Sequence, residues 1–187
     1  MRGRGGFIGA NVTPASAGVN SAASGVWTLR EAEALKRAGA WPTVLGVPQK
    51  AWVSAITYSD GGNWDTGVPD SAAVGRPGNV TDDNPATGAG ASSATYIQID
   101  LGQTRTISGV YVRGLQIPGY WNSGYVAGKT ISVSTNGSSF TAYSATGTAA
   151  ELNSLQIYRN GAVQARYIRL SPATSGFIAV SEFYPEG

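Results

Sequence analysis

From Ala51 onward, apolar and polar residues alternate along most of the chain with a period of two. In AWVSAITY, Trp52, Ser54, Ile56 and Tyr58 fall on one face, with Val53, Ala55 and Thr57 on the other. YIQIDL points Ile97, Ile99 and Leu101 inward and Gln98 and Asp100 outward, TISGVYVRGL supplies Ile107, Val110 and Val112, and TISVST supplies Ile131 and Val133. Asn136-Gly137 follows and is the strongest hairpin signal in the chain, because both residues tolerate the positive φ of a tight turn. Further strands fit Ser154–Arg159, Arg166–Ser171 and Phe177–Tyr184. Residues 59–94 read as one long polar loop, and ordered loops of that length are often functional. About eight short alternating strands predict a two-sheet sandwich.

The first 47 residues break this pattern. Residues 1–24 are rich in Gly, Ala, Ser and Asn around isolated apolar positions, cannot form a core alone, and read as an extended arm. A short helix is expected next. Thr28 and Glu31 form a capping box, Leu29, Ala32 and Leu35 recur at helical spacing, Glu33 lies four residues before Arg37, and Gly39 ends the run. A helix of about ten residues is marginal alone, so it must dock on something, with Trp27 and Trp41 as anchors. The expected division is an attachment segment over 1–47 and a β-sandwich over 48–187.

Composition agrees with an all-β body and narrows the chemistry. Only 13% of the residues are charged, while 26 are Gly, nine are Pro, five are Trp and nine are Tyr, which suits short strands and turns better than helices. There is no Cys and no His. Disulfides, thiolate nucleophiles, Ser-His-Asp triads and His-metal sites are therefore excluded. No carboxylates pair convincingly for acid/base work, so no enzymatic role is expected. Residues 1–47 carry five basic against two acidic side chains and residues 48–187 eight against nine, so the body lacks the basic stripe that nucleic acid needs. No apolar run is long enough to span a membrane, and MRGRGGFIGANVTP has no apolar leader region, so no secretory signal is expected.

Two resemblances follow from these segments. YIQIDLG at 96–102, ISGVYVRG at 107–114, ISVSTNGSSFTAY at 131–143, ARYIRLSP at 165–172 and VSEFYPEG at 180–187 occur in the order seen in coagulation factor five/eight type C (discoidin) domains, and residues 50–187 resemble that family. The resemblance implies a galactose-binding-like jelly roll that binds glycans, lipid headgroups or protein surfaces without catalysis. GGFIG and SGVWTLREAEALKRAGAWP are similar to the opening of tail and other virion structural proteins of marine and cyanobacterial phages. Together they imply a virion protein of a tail, baseplate or fibre, assembled in the host cytoplasm and exposed on the particle. Other virion proteins, further copies of the chain and a host-surface glycan would be its partners. The alternative is a capsid decoration or cement protein whose jelly roll contacts subunits.

Three sets of candidate site residues emerge. Trp64 in SDGGNWDTG and Tyr120, Trp121 and Asn122 in IPGYWNSGY suit sugar recognition, where a ring stacks on the apolar sugar face and amides bond hydroxyls. The same residues suit burial against a neighbouring subunit. The discoidin resemblance leaves Tyr125 and Val126 in the core. It also implies calcium held between the loop before the DLG strand and the closing Glu, here Asp82, Asn84, Ser93 and Glu182, with backbone carbonyls of Asn79 and Ser181; an Asx turn at Asp82 and Asp83 is the competing reading. Arg2, Arg4, Phe7 and Ile8 of the arm, with Trp27 and Trp41, are the expected virion-attachment residues. Arg105, Arg113, Arg166 and Arg169 are expected on sheet surfaces.

Overall fold

In the computed structural model, residues 30, 33–34, 46–59, 77–91, 96–171 and 177–187 are described. The chain divides into Met1–Leu45 and Gly46–Gly187. In the first unit, Arg30, Glu33 and Ala34 are helical, within the span predicted for the helix. Arg2, Arg4, Phe7, Ile8, Trp27 and Trp41 lie outside the described residues.

The second unit is a sandwich of two antiparallel sheets. Nine strands are described: β1 Ala55–Tyr58, β2 Ala89–Ala91, β3 Ile97–Ile107, β4 Gly109–Gly114, β5 Thr130–Ser134, β6 Thr141–Ala145, β7 Gln156–Tyr158, β8 Val163–Ser171 and β9 Ile178–Glu186. The larger sheet has the order β1-β3-β8-β5-β6, and the smaller β2-β9-β4-β7. Residues 59–94 are not one loop. They contain a 3-10 turn over Pro77–Val80 and the strand β2, which periodicity misses because Ala-Gly-Ala has no alternation to read.

The predicted inward residues of β3, β4 and β5 build the core together with residues of β8 and β9. Ile97, Ile99, Leu101 and Ile107 of β3, Ile131 and Val133 of β5, and Ile168 and Leu170 of β8 pack with Val110 and Val112 of β4 and Val180 and Phe183 of β9. Burial of these apolar side chains, at roughly 25 cal/mol per Å², is the main drive for folding. Val126 is fully buried, as expected.

The DLG segment has a local cause. The register of β3 against β8 shifts between Asp100 and Arg105. Asp100 Oδ1 accepts the Gly102 amide at 2.8 Å across that irregularity. Both carboxylate oxygens also take Arg166, from Nε and Nη2, each at 3.0 Å. A bidentate charge-assisted pair of this kind fixes orientation as well as adding stability. Asp100 and Arg166 therefore pin β3 to β8.

Candidate functional site

The connection after β4 builds an aromatic platform. Ile117 and Trp121 form an antiparallel bridge, each amide donating to the other's carbonyl at 2.9 Å. The Tyr120 amide donates to the Ile117 carbonyl at 3.0 Å, closing a turn around Pro118 and Gly119. Pro presets φ at the first central position, and Gly119, at φ +83°, supplies the left-handed second one. The turn lifts Tyr120 outward, 50% exposed, and turns Trp121 inward, 5% exposed, against Leu115 and Ala179.

Trp121 is thus a support rather than a surface contact, which corrects its expected place. Its ring meets Tyr125 edge-on at 5.1 Å and Phe177 at 6.0 Å, and Tyr125 meets Phe177 at 5.4 Å. Edge-to-face packing suits the ring quadrupoles and holds the cluster rigid. Tyr125 is half-buried within it rather than wholly in the core. Phe177, at the entrance to β9, is 44% exposed. It was legible only as the start of a strand, although a lone aromatic after Ser-Pro-Ala-Thr-Ser-Gly was an available signal. Asn122 is exposed, but its Oδ1 accepts the Gly124 amide at 2.9 Å and so caps the turn Ser123–Tyr125. The buried Ser123 hydroxyl donates to Asn153 Oδ1 at 2.8 Å, and Gln116 Nε2 donates to the Asn153 carbonyl at 2.9 Å. Trp64 lies outside the described residues.

The acidic loop abuts this platform, since the Gln116 amide donates to the Pro85 carbonyl at 2.8 Å. Asp82 accepts from the Asn84 amide at 3.0 Å and the Thr87 hydroxyl at 2.6 Å. Asn84 Oδ1 accepts the Ala86 amide at 3.0 Å. These are the competing Asx-type turns, so the Asn84 side chain serves the loop itself. Asp83 stands at φ +63° and pairs with Lys50 at 2.5 Å.

Glu182 of β9 is different. It is 1% exposed, and neither carboxylate oxygen has a hydrogen-bond partner. Burial pushes its pKa up to about 7; Lys50 opposes the shift, and Asp83 and Asp82 add to it. The Asp83 amide favours the ionised form but does not reach it in hydrogen-bonding geometry. Arg113 stands opposite Glu182 in the β4–β9 register, yet no ion pair forms and its Nε is also buried without a partner. Ser93 lies outside the described residues. Among the described residues, no three acidic side chains group closely enough to hold a metal by themselves. An orphaned buried carboxylate facing negative neighbours nevertheless fits a hard cation that takes most of its ligands from loop oxygens. Glu182 and Asp82 fit that role, and Asn84 does so only through its backbone.

Among the described residues, nine strands form a jelly roll whose loop end carries exposed rings beside uncharged polar side chains. Residues 52–183, well over half of the chain, match the F5/8 type C domain model, and the chain belongs to that family. No curated protein matches it. Among solved structures, it is similar to the CBM32 of AlyQ in complex with 4,5-unsaturated mannuronic acid, at 26% identity and a TM-score of 0.50, covering 71% of this chain and 94% of that one. It also shares its fold with CpGH89CBM32-5 from Clostridium perfringens, in complex with GalNAc-β-1,3-galactose, at 18% identity and a TM-score of 0.54, covering 74% and 97%. A third is chitosan-binding module 2 of a chitosanase/glucanase from Paenibacillus sp. IK-5, in complex with chitotriose, at 21% and 0.52, covering 74% and 100%. The family match begins at residue 52 and does not reach the N-terminal segment.

Proposed function

We propose that this chain is a non-catalytic glycan-binding module whose loop end carries the site. The observation that supports it most is the two exposed rings at the loop end, Tyr120 beside the buried Trp121 and Phe177 packed edge-on against Trp121 and Tyr125. A pyranose presents an apolar face of C–H groups that such rings cover, and the flanking Asn122 can address its hydroxyls with the amide hydrogens left free of the cap. Calcium belongs to the same proposal. Held by Glu182, Asp82 and carbonyls of the acidic loop, it would neutralise the buried carboxylate and stiffen the loop on which the platform rests. A place on a phage tail, baseplate or fibre, with a host-surface glycan as partner and further copies of the chain beside it, is proposed on the resemblance of the N-terminal segment alone.

A glycan array on the full chain, with calcium and with chelator, tests this. Binding is expected to fall by about tenfold or more for Tyr120→Ala or Phe177→Ala, the loss of one stacking contact and its buried area. It should also weaken in chelator. A folded chain that binds no glycan in either condition would overturn the glycan reading in favour of subunit packing.

A further inference from the structure

The solvent face of the larger sheet holds a cation, Arg169, with no counter-ion among the described residues. Arg169 lies on β8, the central strand, between Ile168 and Leu170, which are fully buried, so its side chain emerges on the opposite face. Its guanidinium carbon is 3.8 Å from the centre of the Tyr96 ring and 3.6 Å from that of Phe140. Tyr96 directly precedes β3 and Phe140 directly precedes β6, so rings from either side of the sheet close on the planar group. Nε and Nη2 both donate to Gln98 Oε1, at 3.2 and 2.8 Å, and Gln98 Nε2 donates to the Thr57 hydroxyl at 3.4 Å.

Two stacked rings and a tied edge leave the group one orientation. Its remaining N–H groups, including both on Nη1, meet no acceptor among the described residues. The nearby carboxylate is already committed, because Asp100 is held by Arg166. Burial pushes the Arg169 pKa down, as it does for a cation without a counter-ion. Around it lie small hydroxyls: Ser132 stands opposite Arg169 on β5, with Ser171 and Thr130 paired one step along. The geometry fits a preformed fork for an oxyanion, since a guanidinium locked in place loses little further freedom on binding.

We propose that this sheet face is a second ligand contact, separate from the loop end, where the open edge of Arg169 takes a carboxylate or sulfate oxygen of an acidic polysaccharide. It borrows from the proposed function only the class of partner. A nucleic-acid strand is disfavoured because phosphate tracking needs repeated cations, and the neighbouring Arg166 is neutralised by Asp100.

The full chain would be titrated with oligogalacturonate, a sulfated carrageenan oligosaccharide, uncharged maltohexaose and a short single-stranded DNA, following the Arg169 Nε–H resonance and the affinity. The variants are Arg169→Lys, Arg169→Gln and the double variant Tyr120→Ala/Phe177→Ala, each with its melting transition recorded. At least one acidic sugar should move the Arg169 resonance, and maltohexaose should leave it in place. Which of the two acids acts identifies carboxylate or sulfate as the group recognised. Arg169→Lys keeps the charge but loses the fork, and should weaken that binding by about tenfold, the loss of one charge-assisted hydrogen bond. The loop-end double variant should retain the response, so a failure of the loop-end reading would leave this one standing. An unmoved resonance with both acids, or a folded Arg169→Lys binding as tightly as the parent, would overturn the proposal. A larger response to DNA than to either sugar would overturn the glycan class.

Discussion

Glu182 and Glu186 lie four positions apart on one strand and are both buried, yet their environments push them in opposite directions. Glu186 accepts from Arg159 and from the Ser108 hydroxyl, and Arg159 holds its pKa below the usual range. Asp100 is lowered likewise, by Arg166. For both, the stabilisation is present above the unfolded value of about 4 and is lost as pH falls through the folded one. Glu182 is the reverse. Its folded value of about 7 lies above the ordinary 4.5, so its contribution is complete below 4.5 and is lost as pH rises through 7. In chelator, Glu182→Gln is therefore expected to be more stable than the parent at pH 8, by about 3 kcal/mol at most, and to melt like it at pH 4. With calcium the order at pH 8 should invert, because the variant loses a charged ligand. Melting curves at the two pH values, with and without calcium, check both statements. The motif order singles out Glu182 as a candidate ligand. Its isolation is not legible, since it depends on Arg113 forming no pair with it and on Asp82 and Asp83 being brought close from about a hundred residues upstream.

At the scale of elements, two glycines set the turns that matter. Gly137 closes the β5–β6 hairpin at φ +76°, and a Cβ there would stand 3.1 Å from the Tyr167 ring. Gly137→Ala should cost about 1–2 kcal/mol, read as a lower midpoint in urea. Gly119 has a similar φ, +83°, but open space around it. Gly119→Ala should cost about 1 kcal/mol from the backbone alone, while displacing Tyr120 and weakening glycan binding more than stability. The hairpin's place is readable from Asn-Gly, although Gly137 alone of the two takes a positive φ and residues 135–140 join β5 to β6 in place of a two-residue turn. The Ile117–Trp121 bridge was not readable, because the depth of Trp121 is set by Leu115 and Ala179 beneath it, one of them on a distant strand. Asn122 was readable as an exposed loop amide, but its cap on Gly124 is a consequence of the 3-10 turn that follows.

Across the Gly46–Gly187 unit, each sheet draws strands from both halves of the sequence: β1 pairs with β3, β3 with β8, β2 with β9 and β4 with β9. Neither sheet closes until the last strands arrive, and both share one core. This unit should therefore unfold in one cooperative step. Coincident curves from far-ultraviolet circular dichroism and tryptophan fluorescence would confirm it; a fluorescence change at lower denaturant would show the platform, with its buried Trp121, melting separately. Alternation and short phrases alone place the inward residues of β3, β4 and β5, the Asn-Gly hairpin, and the family to which the module belongs. Those features are written in alternation and short phrases that neighbouring residues enforce. Only the tertiary structure decided that Tyr120 and Phe177 rather than Trp121 face solvent, that Arg169 is clamped between two rings, and that Glu182 is buried without a partner. Each of these depends on burial by side chains distant in the sequence, and alternation along a strand does not encode such neighbours.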